Sequence, residues 1–233
     1  MELGDEPPTV TMPMFPLGTV LFPHALLPLH VFEPRYRLMM RHVLEGDHEF
    51  GVVLIARGSE VGGGDTRFDV ATVARVVQAA ELPDGRFAVA TVGMRRVRVR
   101  RWLADDPYPR AEVAALDDEP AGPDDGAARE RVVARLGQVT DLARRVDSRI
   151  SEPPLLDPDP VRASYEAAAV APVGPFDAQQ LLAARDAGAR LRLLAELLEQ
   201  RIVDLRAHLD TNWDTDWDTN WDSDWHTEGD IDG

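Results

Sequence analysis

Hydrophobic and polar residues alternate along the first half of the chain in the way that short β-strands require. The strand-like runs are EFGVVLIA (49–56), DVATVARVVQAAE (69–81), RFAVATVG (86–93), MRRVRVRRW (94–102) and YPRAEVAAL (108–116). The turn sequence LPDG separates the second run from the third, as in a β-hairpin. Several short strands separated by turns predict a small sandwich or barrel, which we place at residues 11–118.

One helix interrupts this β region. In PRYRLMMRHVLEG, Pro34 suits the first turn of a helix and Gly46 suits its end, so we predict a helix between them. The apolar segment before it, residues 21–32, contains Pro23 and Pro28, and these prolines exclude a helix there. That segment is therefore predicted to be a strand whose pairing is limited by its prolines.

This proline-containing strand has more large apolar side chains than one face can bury. Side chains alternate between the two faces of a strand, so Phe22, Leu26, Leu27 and Phe32 cannot all point inward. Those that point outward either contact the rest of the protein or form an exposed apolar patch, which is typical of a binding site.

The second half of the chain has the spacing of helices. Apolar residues recur every three or four positions at Val132, Leu136, Val139, Ala143, Val146 and Ile150, and again at Leu191, Leu194, Leu198, Ile202, Leu205 and Leu209. Such stripes are usually buried, which predicts a helical bundle over residues 126–209. Asp177 and Gln180 have the spacing of a capping box at a helix start. The sequence thus predicts an α+β protein.

Residues 210–233 differ from the rest of the chain. Four tryptophans recur every four residues at Trp213, Trp217, Trp221 and Trp225, among nine acidic residues and no arginine. Because like charges repel and Asp, Asn and Thr are poor helix formers, we predict a disordered acidic tail that adds little stability. The tryptophans are candidate anchors for a partner, since aromatic residues dominate binding hot spots; a neutral low-complexity extension is the alternative.

Charge and composition exclude several classes of function. The formal net charge is −16, which disfavours general binding to nucleic acids. The chain has no cysteine, which excludes disulfides and thiolate sites and fits a cytoplasmic protein. Every basic residue is arginine, so a phosphate-loop lysine, a Schiff base and a Ser–Lys dyad are all excluded. No run of about 20 apolar residues predicts a membrane span.

The remaining candidate sites do not predict catalysis. His42, Glu45 and His48 are spaced by three residues, but Gly46 ends the helix between the last two, so surface residues are predicted rather than a metal site. The strand over residues 95–101 places Arg96, Arg98 and Arg100 on one face, where we predict a solvated surface rather than an anion site. We predict no catalytic residue, metal or cofactor.

Four stretches in order resemble a known family over about residues 12–118. They are FPLGTVLFPHALLPLHVFEPRYRLMM, VLEGDHEFGVVL, VATVARVVQAAELPDGRFAVATVGMRRVRVRRW and DPYPRAEVAAL. Together they resemble the amino-terminal domain of the ATP-dependent protease Lon, and QQLLAARDAGARLRLLAELLEQRI is similar to the end of stand-alone Lon-domain proteins. The resemblance implies a PUA-like β-barrel followed by a helical bundle, and a role in holding substrate polypeptides rather than cutting them.

This resemblance turns the apolar strand into a predicted binding surface. We predict that unfolded or damaged polypeptides bind near Phe22, Leu26, Leu27, Phe32 and Tyr36, with a protease or chaperone as a further partner in protein quality control. The resemblance supplies no catalytic residue, so we predict a protein that is not an enzyme. The alternative is a PUA-like protein that binds RNA or a small molecule, with an enzymatic activity of its own.

Overall fold

The computed structural model describes residues 7–57, 66–120, 122 and 124–215, the last four of these by backbone only. In this part the chain forms six strands and five helices. The strands are β1 (Thr9–Leu17), β2 (Leu26–Val31), β3 (Glu49–Arg57), β4 (Thr66–Glu81), β5 (Phe87–Trp102) and β6 (Arg110–Ala115). The helices are α1 (Pro34–Glu45), α2 (Asp125–Val146), α3 (Pro160–Val170), α4 (Pro175–Ala183) and α5 (Ala187–Thr215).

The six strands form one mixed sheet in the order β2-β5-β4-β3-β1-β6. Strand β1 runs parallel to β3, whereas all other pairs are antiparallel. Strand β6 pairs with the first half of β1 and also with the second half of β5. In the described residues no strand pairs β2 with the second half of β1, so the closed barrel predicted from the sequence stays a prediction.

Local signals place the elements of the first half where the pattern predicts them. Helix α1 has Pro34 in its first turn and Gly46 as its C-cap, and it buries Tyr36, Met39 and Met40 against the sheet. The turn between β4 and β5 closes through Gly85, whose N–H donates to the carbonyl of Leu82 at 2.8 Å and whose φ is +76°. The predicted helix and hairpin are therefore confirmed.

Two long helices, α2 and α5, dominate the second half. Their first turns are adjacent, because a Cβ on Gly188 would lie 2.1 Å from Oδ1 of Asp125. Farther along, Arg135 of α2 forms an ion pair with Glu199 of α5 at 2.9 Å, so the two helices run parallel. Both predicted apolar stripes contribute to one core with α3 and α4. This core confirms that the second half is helical.

Two details of the helical half differ from the predictions. Helix α4 starts at Pro175 with Gly174 as its N-cap, so Asp177 lies inside the first turn and the predicted capping box is wrong. Helix α5 continues to Thr215, which includes the first residues of the predicted tail. Residues 216–233 lie outside the described residues, and the disordered tail stays a prediction. Within the described part, no helix is long and apolar enough to cross a membrane.

Candidate functional site

The outward face of β2 is apolar and open to solvent. Burial alternates along the strand, with Leu29 and Val31 buried in the core and Leu26, Pro28 and His30 exposed. Leu26 is 74% exposed, and Phe32, which follows the strand, is 54% exposed. Because large apolar side chains are usually at least half buried, two of them on one short segment mark an unusual surface.

Strand β5 extends this apolar surface with small side chains. Ala88, Ala90 and Val92 lie directly opposite His30, Pro28 and Leu26, so they point to the same side of the sheet, and all three are partly exposed. Cross-strand partners share a face because the side-chain period of a strand is two. None of these six residues carries a formal charge. We call them, together with Phe32, the β2–β5 face.

A cleft opens beside the β2–β5 face, between β2 and the end of β1. Its volume is about 220 Å³, and its walls include Phe15 and Leu17 of β1 and residues 28–33. Tyr36 closes the cleft from α1, where its ring stacks on Phe15 with 4.3 Å between centroids. The guanidinium of Arg35 lies 4.4 Å from the Tyr36 ring and forms an ion pair with Glu33 at 3.0 Å. The cleft is therefore apolar, with a neutralised pair of charges at its rim.

The five predicted polypeptide-binding residues are divided between this surface and the core. Phe22 and Tyr36 are each 3% exposed, so their side chains help to shape the site from within. The backbone of Phe22 lies so close to β5 that a Cβ on Gly93 would be 2.2 Å from its carbonyl oxygen. Leu27 is partly buried and lines a second cleft, of about 340 Å³, against α3 and α4. Leu26 and Phe32 remain as the exposed candidates.

The tryptophan anchors cannot be placed on this surface. Trp213 falls within α5, but its side chain is not among those described. Trp217, Trp221 and Trp225 lie outside the described residues. Their role as anchors stays a prediction.

The small residues of β5 were missed by the sequence reasoning. RFAVATVG was taken only as a strand, although its alternation of large residues with Ala88 and Ala90 is visible in the sequence. The large members, Phe87 and Val89, are buried, and the alanines form the outward floor beside β2. A strand that is apolar on both faces is itself a signal of a buried or binding surface.

The arginine strand is partly buried, contrary to the solvated face predicted for it. Arg98 pairs with Asp69 at the surface, but Arg96 is buried where β5 meets the helices. Its Nη1 donates to the carbonyl of Leu182 at 2.7 Å, and its Nη2 donates to Asp118 at 3.0 Å. The prediction fails at Arg96 because α4 ends over this strand and offers its carbonyl groups to a cation.

A second buried arginine completes this junction between sheet and helices. Arg190 of α5 donates from Nη2 to Asp118 at 2.7 Å and to the Tyr165 hydroxyl at 3.0 Å. Burial raises the pKa of Tyr165 despite the nearby arginines, and burial lowers the pKa of Arg96. The junction has no free acceptor directed at a ligand, so it holds the two halves of the fold together.

The histidines of the first helix have a structural contact. Nδ1 of His42 lies 2.9 Å from the hydroxyl of Tyr108, in hydrogen-bonding distance. His48 follows the helix in a left-handed conformation with φ of +61°. Among the described residues, no group of three or more His, Asp or Glu side chains is arranged to hold a metal ion.

Comparison with known proteins gives one family. The sequence profile of the ATP-dependent protease La (LON) substrate-binding domain matches residues 11–200. Lon protease 2 of Herpetosiphon aurantiacus is 30% identical over 212 residues, which are 86% of this chain and 25% of that protein. Lon protease 2 of Sorangium cellulosum is 28% identical over 215 residues, 86% of this chain and 26% of that protein. The chain thus spans about a quarter of the length of these relatives.

Two solved structures share the fold. The Lon N-terminal domain protein from Xanthomonas campestris superposes with a TM-score of 0.57 at 24% identity, covering 79% of this chain and 96% of that chain. The N-terminal domain of the Mycobacterium avium complex Lon protease superposes with a TM-score of 0.60 at 17% identity, covering 82% of this chain and 98% of that one.

Proposed function

Because this chain belongs to the Lon substrate-binding domain family, we propose that it binds unfolded or extended polypeptide on the β2–β5 face. The observation that carries the proposal is the exposure of Leu26 and Phe32 beside a floor of small apolar residues. An unfolded polypeptide exposes apolar side chains that a folded protein buries. Covering them and the β2–β5 face together removes apolar surface from water on both partners, which favours binding.

The proposed role is holding rather than catalysis. The 233 residues contain no lysine, so they include neither a phosphate-loop lysine nor a Ser–Lys dyad. The match to the relatives is confined to their substrate-binding domain. We therefore propose a non-catalytic adaptor or holder in cytoplasmic protein quality control, which passes its polypeptide to a protease or chaperone. In this role the purified protein hydrolyses neither ATP nor casein.

Point substitutions on the β2–β5 face test the proposal. Leu26→Glu and Phe32→Glu each place a charge in the apolar contact, so we expect affinity for a fluorescent, permanently unfolded protein to fall about tenfold or more. Val203→Glu is the matched control, since Val203 is 51% exposed on α5, away from the sheet. We expect all three variants to melt within about 2 °C of the parent protein, because surface substitutions rarely change stability much.

The outcomes separate the two functional classes. Equal binding by the parent protein and both face variants would contradict the proposed site. Absence of polypeptide binding by the parent protein would contradict the proposed function itself. An RNA oligonucleotide in the same assay covers the alternative, and salt-dependent RNA binding would favour it.

A further inference from the structure

Strand β2 is an edge strand with one unpaired side. It stands at the end of the sheet order and, across residues 7–57, 66–120, 122 and 124–215, pairs with β5 only. An edge strand exposes a row of backbone donors and acceptors that can pair with another extended chain. The cleft described above lies along this side of β2.

The hydrogen bonds to β5 determine which backbone groups face outward. The N–H of Gly93 donates to the carbonyl of Ala25 at 2.9 Å, just before β2 begins. Backbone groups alternate along an antiparallel strand, so Leu27, Leu29 and Val31 also direct theirs to β5. Leu26, Pro28 and His30 therefore direct theirs outward.

The position of Pro28 agrees with this alternation. Proline has no N–H, and it is tolerated on an edge strand where its nitrogen faces away from the partner strand. The outward groups are then the N–H of Leu26 and of His30 and the carbonyls of Leu26, Pro28 and His30. Two donors and three acceptors remain on this edge for an incoming chain.

The cleft has the size and the walls for a side chain of that incoming chain. It is lined by residues from both faces of β2, the buried Leu29 and Val31 and the exposed Pro28 and His30, as expected for a cleft along a strand edge. Its volume is about 220 Å³. A cavity of about 150 Å³ can hold benzene, so this one can take a phenyl or a leucine side chain.

We infer that the outer edge of β2 binds one extended segment of the client by strand addition, with one bulky apolar side chain of that segment in the cleft. The inference rests on the proposed function and specifies how the client is held. A helix satisfies its own backbone groups, whereas an extended chain offers donors and acceptors that match those of Leu26, Pro28 and His30. The backbone contacts are independent of sequence, and the cleft selects one aromatic or large aliphatic residue.

A matched pair of variants tests the backbone contact. His30→Pro removes an outward donor and leaves the pairing of β2 with β5 intact, whereas His30→Ala keeps the donor and removes only the side chain. The probe is a ten-residue peptide of Thr, Gln and Val with a single central Phe. We expect His30→Pro to weaken peptide binding by about fivefold or more and His30→Ala to change it less than twofold.

A second measurement uses the unaltered protein, so it stands even if His30→Pro fails to fold. Two versions of the peptide carry N-methyl groups, one on the residues adjacent to Phe and the other on the residues two positions away. Only one of these sets faces β2 in a strand pair. We expect one version to lose about tenfold in affinity while the other stays close to the unmethylated peptide.

The results distinguish this inference from the proposed function. If the unmethylated peptide and the unfolded protein both fail to bind, the proposed function is wrong. If they bind, but both methylated peptides bind equally and His30→Pro behaves like His30→Ala, the client is held by side chains alone and strand addition is wrong. Loss of self-association in His30→Pro with unchanged peptide binding would assign the edge to a second copy and also overturn the inference.

Discussion

Replacing Arg190 should destabilise the whole protein, because this side chain is fully buried and donates to several acceptors. Its Nε donates to the carbonyl of Leu181 at 3.0 Å and its Nη1 donates to the Ser164 hydroxyl at 2.7 Å. Its Nη2 donates to Asp118, and the guanidinium lies 3.8 Å from the centroid of the Tyr165 ring. Arg190→Met keeps a long apolar side chain but removes every donor.

The magnitude follows from the groups that remain buried without a partner. The carbonyl of Leu181 loses its side-chain donor, and the carboxylate of Asp118 keeps Arg96 as its only arginine partner. Breaking a buried ion pair by removing one partner typically costs about 3–5 kcal/mol. A change of 1 kcal/mol shifts Tm by about 2–4 °C in a protein of this size, so we expect Tm to fall by about 10 °C.

Thermal unfolding followed by far-UV circular dichroism measures the effect. Arg190→Lys keeps the charge but not the planar fork, so we expect an intermediate Tm. Arg149→Met is the control, because Arg149 pairs with Asp147 at the surface with 88% of its side chain exposed, and exposed pairs contribute about 0–1 kcal/mol. If Arg190→Met melted within about 2 °C of the parent protein, the reasoning about the buried junction would be refuted.

Two further predictions concern Tyr165 and the end of the chain. Burial raises the pKa of Tyr165, so its contribution to stability is complete below the unfolded-state pKa of about 10 and is lost as pH rises toward the folded-state pKa. Melting curves between pH 8 and 11 should therefore fall less steeply for Tyr165→Phe, and equal slopes would contradict this. Deletion of residues 216–233 should leave Tm within about 2 °C, whereas a drop beyond about 5 °C would show that the tryptophans pack on the folded part.

The elements that could be predicted from the sequence are those with local signals. Helix α1 lies between Pro34 and Gly46, and α5 carries an apolar stripe from Leu191 to Leu205, so neither depends on distant residues for its definition. The same reasoning identified β2 as an apolar strand with too many large side chains for one face. It could not assign each side chain, because the assignment depends on the pairing with β5.

The buried arginines show why the rest of the site was not accessible from sequence. Arg96 and Arg98 both stand in a regular alternation, yet one is buried and the other forms a surface ion pair. The difference arises from Leu182 and Ala184, which follow Arg96 by more than 80 positions and bring carbonyl groups over it. The cleft beside β2 depends likewise on how closely β1 approaches, and no local pattern reports that distance.

The parallel course of α2 and α5 determines how far apart two simultaneous contacts on this protein can be. The start of α5 is held against the sheet through Arg190 and Asp118, and the helix then continues for 29 residues. At 1.5 Å per residue its far end stands about 43 Å from that junction. An extended client spans at most about 3.3–3.6 Å per residue, so it needs about a dozen residues to reach from one end to the other. Shorter segments can contact only one end at a time, which makes client length a selection criterion.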